Sequence, residues 1–485
     1  MSEKLAERGG TIRSELEPNV MSLPGVFMQG IANISPAFSQ LATFTSIIAL
    51  AAIVAPVAFL LAGVALVVQA YVTGQIAREF PSAGGWYTWV ARTLHPGAGF
   101  FAGWVLLLWW PACGTMVLGY LGAVVLQPGI QAYYGVDIPW WIYPVAGVAL
   151  SAFLSYRGMR LSQSVLLITG GIEVVIMVAL ATSGLVSPGK GGFSLAPLNV
   201  ANFGKAPDVF LAITFAVFAF SGWETIGPVA EETRHPRRYI PLAMVGSILF
   251  MMVFELFVTW GNVLGVGVSN LTSAATAATW PIATMAQRLW GEGWLLLLFA
   301  LLNSGVANSL SAFNAGTRLF FSMGRSGVFP AALGVVSPRR RTPNNAIHTQ
   351  VAVSILALVL MAIFGAVTVF LTWAITFTFG LIIMYILADL GAMRYYLTEA
   401  RDRFNVLKHV VAPIAAIVAV GYVFYKSAVP LPAPPEQWSP VVLVVFFVVG
   451  GCLMVGLHFT GRGDWMRKAE LAMEEEPEKV AGLGT

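Results

Sequence analysis

The apolar residues of this chain fall in blocks of about 20 residues, and most of its charged residues lie between the blocks. An apolar helix of about 20 residues crosses the ~30 Å hydrocarbon core of a bilayer. Only 10% of the residues are charged, whereas soluble globular domains carry roughly 25%. The pattern therefore predicts an all-α integral membrane protein, and the net charge of +4 gives no indication of a nucleic-acid partner.

We predict twelve transmembrane helices, at about residues 26–50, 53–78, 98–126, 138–157, 162–186, 208–230, 240–267, 293–322, 346–364, 367–397, 406–426 and 440–460. Residues 273–289 are too few and too polar to cross, and are expected to form an interfacial helix. Lys and Arg are concentrated in the loops on one side, which the positive-inside rule assigns to the cytoplasm. Both termini are then cytoplasmic. Tails 1–25 and 461–485 flank a ten-helix transport core (26–397) and two further helices (398–460).

Motifs for catalysis are missing from the sequence, and no predicted loop is long enough to hold a soluble catalytic domain. We find no Ser nucleophile elbow, phosphate-binding loop or zinc motif. Cys113 and Cys452 both lie in apolar blocks and are expected to be packing residues. An enzyme is not expected, and neither is a resident metal or organic cofactor. Function must lie among the membrane helices.

The first predicted helix contains an interruption near mid-membrane, in the segment GIANISPAFS (30–39). Pro36 has no amide hydrogen and clashes with the preceding turn. Ser35-Pro36 is also a helix-start pattern, with Ser as N-cap and Pro at the first helical position. A second half-helix is expected to begin here, and its amides from Ala37 onward would carry partial positive charge.

The sixth predicted helix contains a similar interruption, in the segment FSGWETIGP (220–228). Either interruption alone is also explained by a proline kink repaired by Ser and water. Interruptions in helices one and six together favour an inverted repeat of five plus five helices, whose broken helices meet at a central site. An anionic substrate group would face half-helix N-termini, and an ammonium group or cation would face freed carbonyls.

Three carboxylates are predicted inside apolar blocks: Glu173, Glu224 and Glu255. A charge at the bilayer centre costs about 2.5–3.5 kcal/mol on insertion scales, so each acid needs a partner, a proton or water. Glu224 adjoins the second interruption, where it would serve the site or brace the unwound segment. Glu173 would serve either ion coupling or packing. Glu255 has no supporting motif, which favours packing.

The eighth predicted helix carries small polar residues, and Ser304, Asn308 and Ser311 share one of its faces. Small polar residues often hold membrane helices together. Hard cations also prefer oxygen ligands, so the same face would suit a cation site. Both interpretations remain open from the sequence.

Four segments carry a family resemblance: FPSAGGWY (80–87), FSGWE (220–224) followed by EETRHPRRYIP (231–241), Arg318 followed by RSGVFP (325–330), and TPNNA (342–346). In this order the chain resembles the amino acid–polyamine–organocation (APC) permease family over residues 25–460. The resemblance implies a LeuT-type fold, with discontinuous helices 1 and 6 holding the substrate between them.

The resemblance also implies the site residues. A substrate carboxylate would bind backbone amides of Ile34, Ser35, Pro36, Ala37 and Phe38, although Pro36 offers no amide. The substrate ammonium group would face carbonyls of Phe220, Ser221, Gly222 and Trp223, with Trp223 as gate or wall.

Two positions depart from the family's pattern. Pro36-Ala37-Phe38 replaces a Gly-x-Gly-like motif, which would narrow or reshape the pocket. Glu173 aligns with a position where some proton-coupled members carry Lys, which reverses the charge there.

The expected function is secondary active transport of amino acids across the cell membrane, by proton- or sodium-coupled symport or by exchange. Glu173, Glu224, Asn308 and Ser311 are the candidates for handling the coupling ion, Na⁺ or H⁺. One alternative keeps the fold and changes the cargo to a polyamine, an ethanolamine-like amine or potassium. A nutrient sensor is a further alternative, for which the two tails are short.

Overall fold

The computed structural model describes residues 15–276, 280–430, 434 and 436–459. This part of the chain is helical, and its only extended pairing is an isolated bridge between Met21 and Thr233. Residues 1–14 of the predicted N-terminal tail and all of the C-terminal tail, 461–485, lie outside the described residues. Residues 15–22 pack onto the helices, with Leu16 and Met21 buried.

Seventeen α-helices are described: α1 Leu23–Ile34, α2 Pro36–Ala51, α3 Ala55–Glu79, α4 Trp86–Thr93, α5 Pro96–Leu121, α6 Gln127–Tyr134, α7 Ile142–Arg157, α8 Met159–Val186, α9 Val209–Ala219, α10 Pro236–Val266, α11 Leu271–Ala275, α12 Pro281–Trp290, α13 Leu295–Arg325, α14 Asn344–Phe364, α15 Ala366–Thr398, α16 Ala412–Ala428 and α17 Ser439–Leu457. A 3-10 helix, Trp223–Glu232, follows α9.

Ten helical runs in the described residues are long and apolar enough to cross a membrane. The first, Leu23–Glu79, has 57 residues, more than twice the ~20 that one crossing needs. The predicted fourth transmembrane helix is α7, which has only 16 residues. A multi-pass, all-helical membrane protein is therefore confirmed, whereas the count of twelve crossings stays a prediction.

The first interruption lies at Ser35. Helix α1 ends at Ile34, Ser35 has left-handed backbone angles (φ 61°, ψ 74°), and α2 begins at Pro36. A left-handed conformation is uncommon for residues other than glycine, and proline cannot continue the preceding helix. The chain therefore breaks at the dipeptide that the sequence indicates.

The second interruption lies at Gly222. Helix α9 ends at Ala219, and the 3-10 helix begins at Trp223. Gly222 has φ 134°, and a Cβ atom there would lie 2.5 Å from the backbone nitrogen of Ile34. Only glycine permits this backbone angle and this approach, so the two interruptions touch each other.

The interrupted segments are enclosed by longer helices. Helix α10 packs along α3 and α8, and α13 packs along α5, α8 and α7. Helices α16 and α17 pack against α15 at the edge of the bundle. The unwound backbone is therefore buried at the centre, where its polar groups need partners from protein.

Candidate functional site

The N-terminus of α2 is capped by side chains from two other helices. The amide of Ala37 donates to Glu173 Oε1 on α8 at 2.7 Å, and the amide of Phe38 donates to Ser304 Oγ on α13 at 3.2 Å. Ser304 Oγ in turn donates to Glu173 Oε1 at 2.6 Å. Ser35 occupies the N-cap position, but its hydroxyl donates to the carbonyl of Ala32 at 3.1 Å instead of accepting from α2.

Glu173 is 1% exposed, and its described partners are all hydrogen-bond donors without charge. Besides the amide of Ala37 and the hydroxyl of Ser304, Asn303 Nδ2 lies 3.4 Å from Oε2. Amides at a helix N-terminus and the helix dipole both stabilise a carboxylate. The position that the family resemblance assigns to a substrate carboxylate is thus filled by a carboxylate of the chain itself.

Two carbonyls in the second half of α1 bind α13. Asn308 Nδ2 donates to the carbonyl of Asn33 at 2.6 Å, and Asn33 Nδ2 donates back to the carbonyl of Asn308 at 3.2 Å. Ser311 Oγ donates to the carbonyl of Gln29 at 2.6 Å, and Thr225 Oγ1 lies 3.2 Å from the same carbonyl oxygen. The polar face of α13 therefore does hold helices together at the carbonyls near the interruption.

The second interruption is braced by its own acid. The amide of Gly222 donates to Glu224 Oε2 at 2.6 Å, and Tyr385 Oη donates to Glu224 Oε1. Thr225 Oγ1 donates to the carbonyl of Gly222 at 2.7 Å. Glu224 therefore braces the unwound segment, the structural alternative considered for it, and links that segment to α15.

A small central cavity lies between the two interruptions. Its volume of about 20 Å³ holds one water molecule, which leaves no room for a substrate in this state. Its lining residues are Asn33, Ile34, Phe38, Ser39, Ala42, Trp109, Val117, Phe218, Ala219, Ser221 and Asn308. Among the residues predicted to bind substrate or the coupling ion, Ile34, Phe38, Ser221 and Asn308 line it.

The remaining predicted residues lie outside this lining. Ser35, Pro36, Ala37, Phe220, Gly222 and Trp223 do not contact the cavity, and neither do Glu173, Glu224 and Ser311. Helix α13 also separates the predicted coupling residues, because Ser304 meets Glu173 while Ser311 lies two turns away beside Gln29. A larger cavity of about 690 Å³, between Pro188 and Arg288, shares no residue with either interruption.

Trp223 belongs to an aromatic cluster with Trp86 and Tyr385. Its ring centroid lies 5.4 Å from that of Trp86 and 5.8 Å from that of Tyr385. Trp86 and Tyr385 are themselves 5.4 Å apart. The cluster is buried, which suits the gate or wall that the family resemblance implies for Trp223.

Glu255 joins α10 to α2. It accepts from Ser39 Oγ at 2.6 Å and from Gln40 Nε2, and it is fully buried. Gln40 Nε2 also donates to Thr259 at 2.8 Å. Glu255, for which the sequence offers no motif, therefore joins the start of α2 to α10.

The motif segments meet in an ion-pair junction formed by Arg318, Glu232, Arg325 and Glu231. Arg318 Nε lies 2.8 Å from Glu232 Oε2, and both side chains are at most 2% exposed. Arg325 Nη2 lies 2.7 Å from Glu231 Oε1, which also accepts from the amide of Ala83 at 2.8 Å.

Tyr87 lies next to this junction and hydrogen-bonds Ser326 at 2.8 Å. Burial raises the pKa of Tyr87 to about 12, so its hydroxyl stays protonated. Arg325 lies close enough for its charge to act on that hydroxyl. Residues from three of the four motif segments therefore meet at this end of the bundle.

Sequence reasoning overlooked a fourth acid inside a transmembrane helix. Asp389 on α15 is fully buried and accepts from Gln69 Nε2 on α3 at 2.9 Å. It follows Tyr385 by four residues, within the apolar stretch ILADLGA (386–392). The stretch itself was the available signal, because an acid in such a sequence interrupts a long apolar run.

Comparison with known proteins identifies the family to which this chain belongs. Residues 25–452 match the amino acid permease family. The low-affinity putrescine importer PlaP of Escherichia coli (strain K12) is 24% identical over 454 residues, which cover 91% of this chain and 93% of the relative.

Two further relatives carry other cargoes. The branched-chain amino acid permease BcaP of Lactococcus lactis is 23% identical over 81% of this chain and 86% of its own length. The serine/threonine exchanger SteT of Bacillus subtilis is 24% identical over 63% of this chain and 68% of its own length.

Proposed function

The chain belongs to the amino acid permease family, whose members are transporters rather than enzymes, and on that basis we propose that it moves amino acids or related amines across the cell membrane by secondary active transport. We further propose twelve crossings in a LeuT-type inverted repeat, with both termini in the cytoplasm. The coupling ion is H⁺ or Na⁺.

The contact between the two helix interruptions is the observation that carries this proposal. A Cβ atom on Gly222 would lie 2.5 Å from the nitrogen of Ile34 and 2.6 Å from the carbonyl carbon of Asn33. Unwound backbone at this depth is tolerated only where it is buried in protein or lines a cavity. The cavity beside it has room for about one water molecule, which supports a state without bound substrate in a cycle of alternating access.

Amino acids are the first candidate cargo, and family membership supports them. The ammonium group would approach Ser221 and the end of α9, which line the cavity. The carboxylate would have to displace Glu173 from the amide of Ala37, or bind elsewhere. Binding of an amino acid would then release Glu173 to take up a proton or Na⁺, which would link substrate to ion.

A carboxylate-free amine is the second candidate, favoured by the occupied amides of Ala37 and Phe38. Such a substrate leaves the bond from Ala37 to Glu173 intact. The cavity lining also includes the aromatic rings of Phe38, Trp109 and Phe218, which suit an alkylammonium group through cation–π attraction. PlaP, the putrescine importer, is similar over nearly its full length.

A ligand panel separates these candidates. Detergent-purified protein would be heated with single amino acids, putrescine, ethanolamine or K⁺, each with and without Na⁺ and at acidic and neutral pH. A ligand at 100 times its Kd stabilises the native state by about 2.7 kcal/mol, which is visible as a rise in Tm. We expect a rise with amino acids or with amines.

Each outcome of the ligand panel supports one candidate cargo or rejects both. Shifts with zwitterionic amino acids support the first candidate, and shifts only with putrescine or ethanolamine support the second. A shift with K⁺ alone rejects both. Any ligand that shifts Tm is then tested for uptake into proteoliposomes, and binding without uptake would indicate a sensor and reject transport.

A further inference from the structure

Asp389 and Gln69 form a buried pair that the proposed transport site does not use. Gln69 Nε2 donates to Asp389 Oδ1 at 2.9 Å, and both side chains are fully buried. Asp389 Oδ2 and Gln69 Oε1 both lack a hydrogen-bond partner among the described residues. Buried polar atoms are nearly always hydrogen-bonded, and two acceptors cannot bond each other. One additional hydrogen on the pair would therefore satisfy both atoms.

Glu224, which binds Tyr385 four residues before Asp389 on α15, has the opposite balance of donors and acceptors. Both of its oxygens accept a hydrogen bond, one from the amide of Gly222 and one from the hydroxyl of Tyr385. A carboxyl group that meets only donors is satisfied as a carboxylate. The two acceptors without a donor therefore point to a proton on Asp389, whose Oδ2–H would supply the missing donor.

Few other charged groups approach Asp389. Helix α3 presents Gln69 and Thr73, α4 presents Trp86 and Thr93, and Tyr385 lies one turn away on α15. The charged residues farther along these elements pair with one another: Arg92 and Arg394 with Glu399, and Arg403 with Glu79. Tyr395, Tyr396 and His409 lie among those pairs. No described Lys or Arg forms an ion pair with Asp389, so an ionised aspartate here would be uncompensated.

Two hydrogen bonds connect α15 to its neighbours at this level. Gln69 on α3 binds Asp389, and Glu224 in the 3-10 helix binds Tyr385. Tyr385 and Asp389 are four residues apart and therefore lie on one face of α15. Any movement that separates α15 from α3 and the 3-10 helix breaks both bonds together.

We propose that Asp389 is a proton carrier of the transport cycle: it holds a proton in this closed state and releases it when α15 separates from α3. The proton leaves Asp389 Oδ2 for water, and the carboxylate takes one back before α3 and α15 close again. This inference rests on the proposed transport function, because the separation is a step of alternating access.

Asp389→Asn tests the proposal, because the amide mimics the protonated acid and its NH₂ group can donate to Gln69 Oε1. Asp137→Asn is the matched control, since Asp137 also accepts from a glutamine, Gln127, at 2.8 Å but is exposed. Wild type and both variants would be reconstituted in proteoliposomes and assayed with labelled putrescine and a labelled mixture of L-amino acids. Two modes are compared: counterflow without a pH gradient and accumulation driven by one.

We expect Asp389→Asn to keep counterflow and to lose pH-driven accumulation by about tenfold or more, while Asp137→Asn keeps both. Retained pH-driven accumulation in Asp389→Asn would overturn the proposal. Loss of both modes in a variant with normal Tm would also overturn it, because the residue would then serve substrate movement in general. Wild type without counterflow of either probe would reject the transport function instead.

Infrared difference spectra across a pH titration test the proton itself, without any substrate. We expect a carboxylic C=O band in wild type and in Asp137→Asn that is missing from Asp389→Asn. A band unchanged in Asp389→Asn would show that Asp389 carries no proton in this state.

Discussion

The two helix interruptions are stabilised in different ways. At Ser35, the amides of α2 depend on Glu173 from α8 and Ser304 from α13, so other helices complete the break. At Gly222, the acid that caps the break comes from the same segment, two residues further on. The first break can change only if its neighbours move or a ligand replaces them. The second break carries its own acid, and Tyr385 attaches that acid to α15.

The largest expected effect comes from breaking the contact between the two interruptions. Gly222→Ala forces an unfavourable backbone angle, which costs about 1–3 kcal/mol. It also places Cβ 2.5 Å from the backbone of Ile34, which cannot move aside as a side chain can. We expect loss of uptake and a Tm well below that of wild type. Gly171→Ala is the control, because its Cβ would meet nothing within 4 Å. Wild-type Tm and uptake in Gly222→Ala would mean that the breaks do not touch.

Glu173→Gln tests the dependence of the first break on its neighbours. The amide keeps an acceptor for Ala37 but loses the charge that the helix N-terminus stabilises, so we expect a loss of about 1–2 kcal/mol in the free energy of unfolding. Uptake, and its dependence on pH or Na⁺, should change as well. Glu292→Gln, at an exposed acid, should leave both unaltered. If uptake and its ion dependence are unaffected by Glu173→Gln, this acid has no part in coupling.

The smallest effect is expected at Ser35, and it sharpens the comparison. Replacing an N-cap serine by alanine usually costs about 0.5–2 kcal/mol, because a helix amide loses its acceptor. Ser35 caps no amide here, and glycine relieves a left-handed strain of about 1–2 kcal/mol. Ser35→Gly should therefore leave Tm unchanged or raise it. A fall in Tm would indicate that the serine, and not Glu173, is the cap in solution.

The sequence predicted the helical membrane fold and the places of both breaks, because apolar block length and Pro or Gly signals are local. It could not predict which side chains meet the freed amides. Glu173 lies 136 positions after Ala37, and their contact depends on how α8 is rotated in the bundle. Ser304 and Ser311 share a helical face, yet only Ser304 reaches Glu173. Rotation and depth arise from packing against several helices at once, which no single segment encodes.

The ion-pair junction bears on how long each state lasts. Removing one partner from a buried pair typically costs 3–5 kcal/mol, since the other charge is left in an apolar environment. Arg318 and Glu232 must therefore stay together or become hydrated before this end of the bundle can open. Each ~1.4 kcal/mol of that hydration cost lengthens the dwell time of the closed state about tenfold. In the proposed transport cycle the pair would therefore act as a timer, set by residues that lie outside the lining of the central cavity.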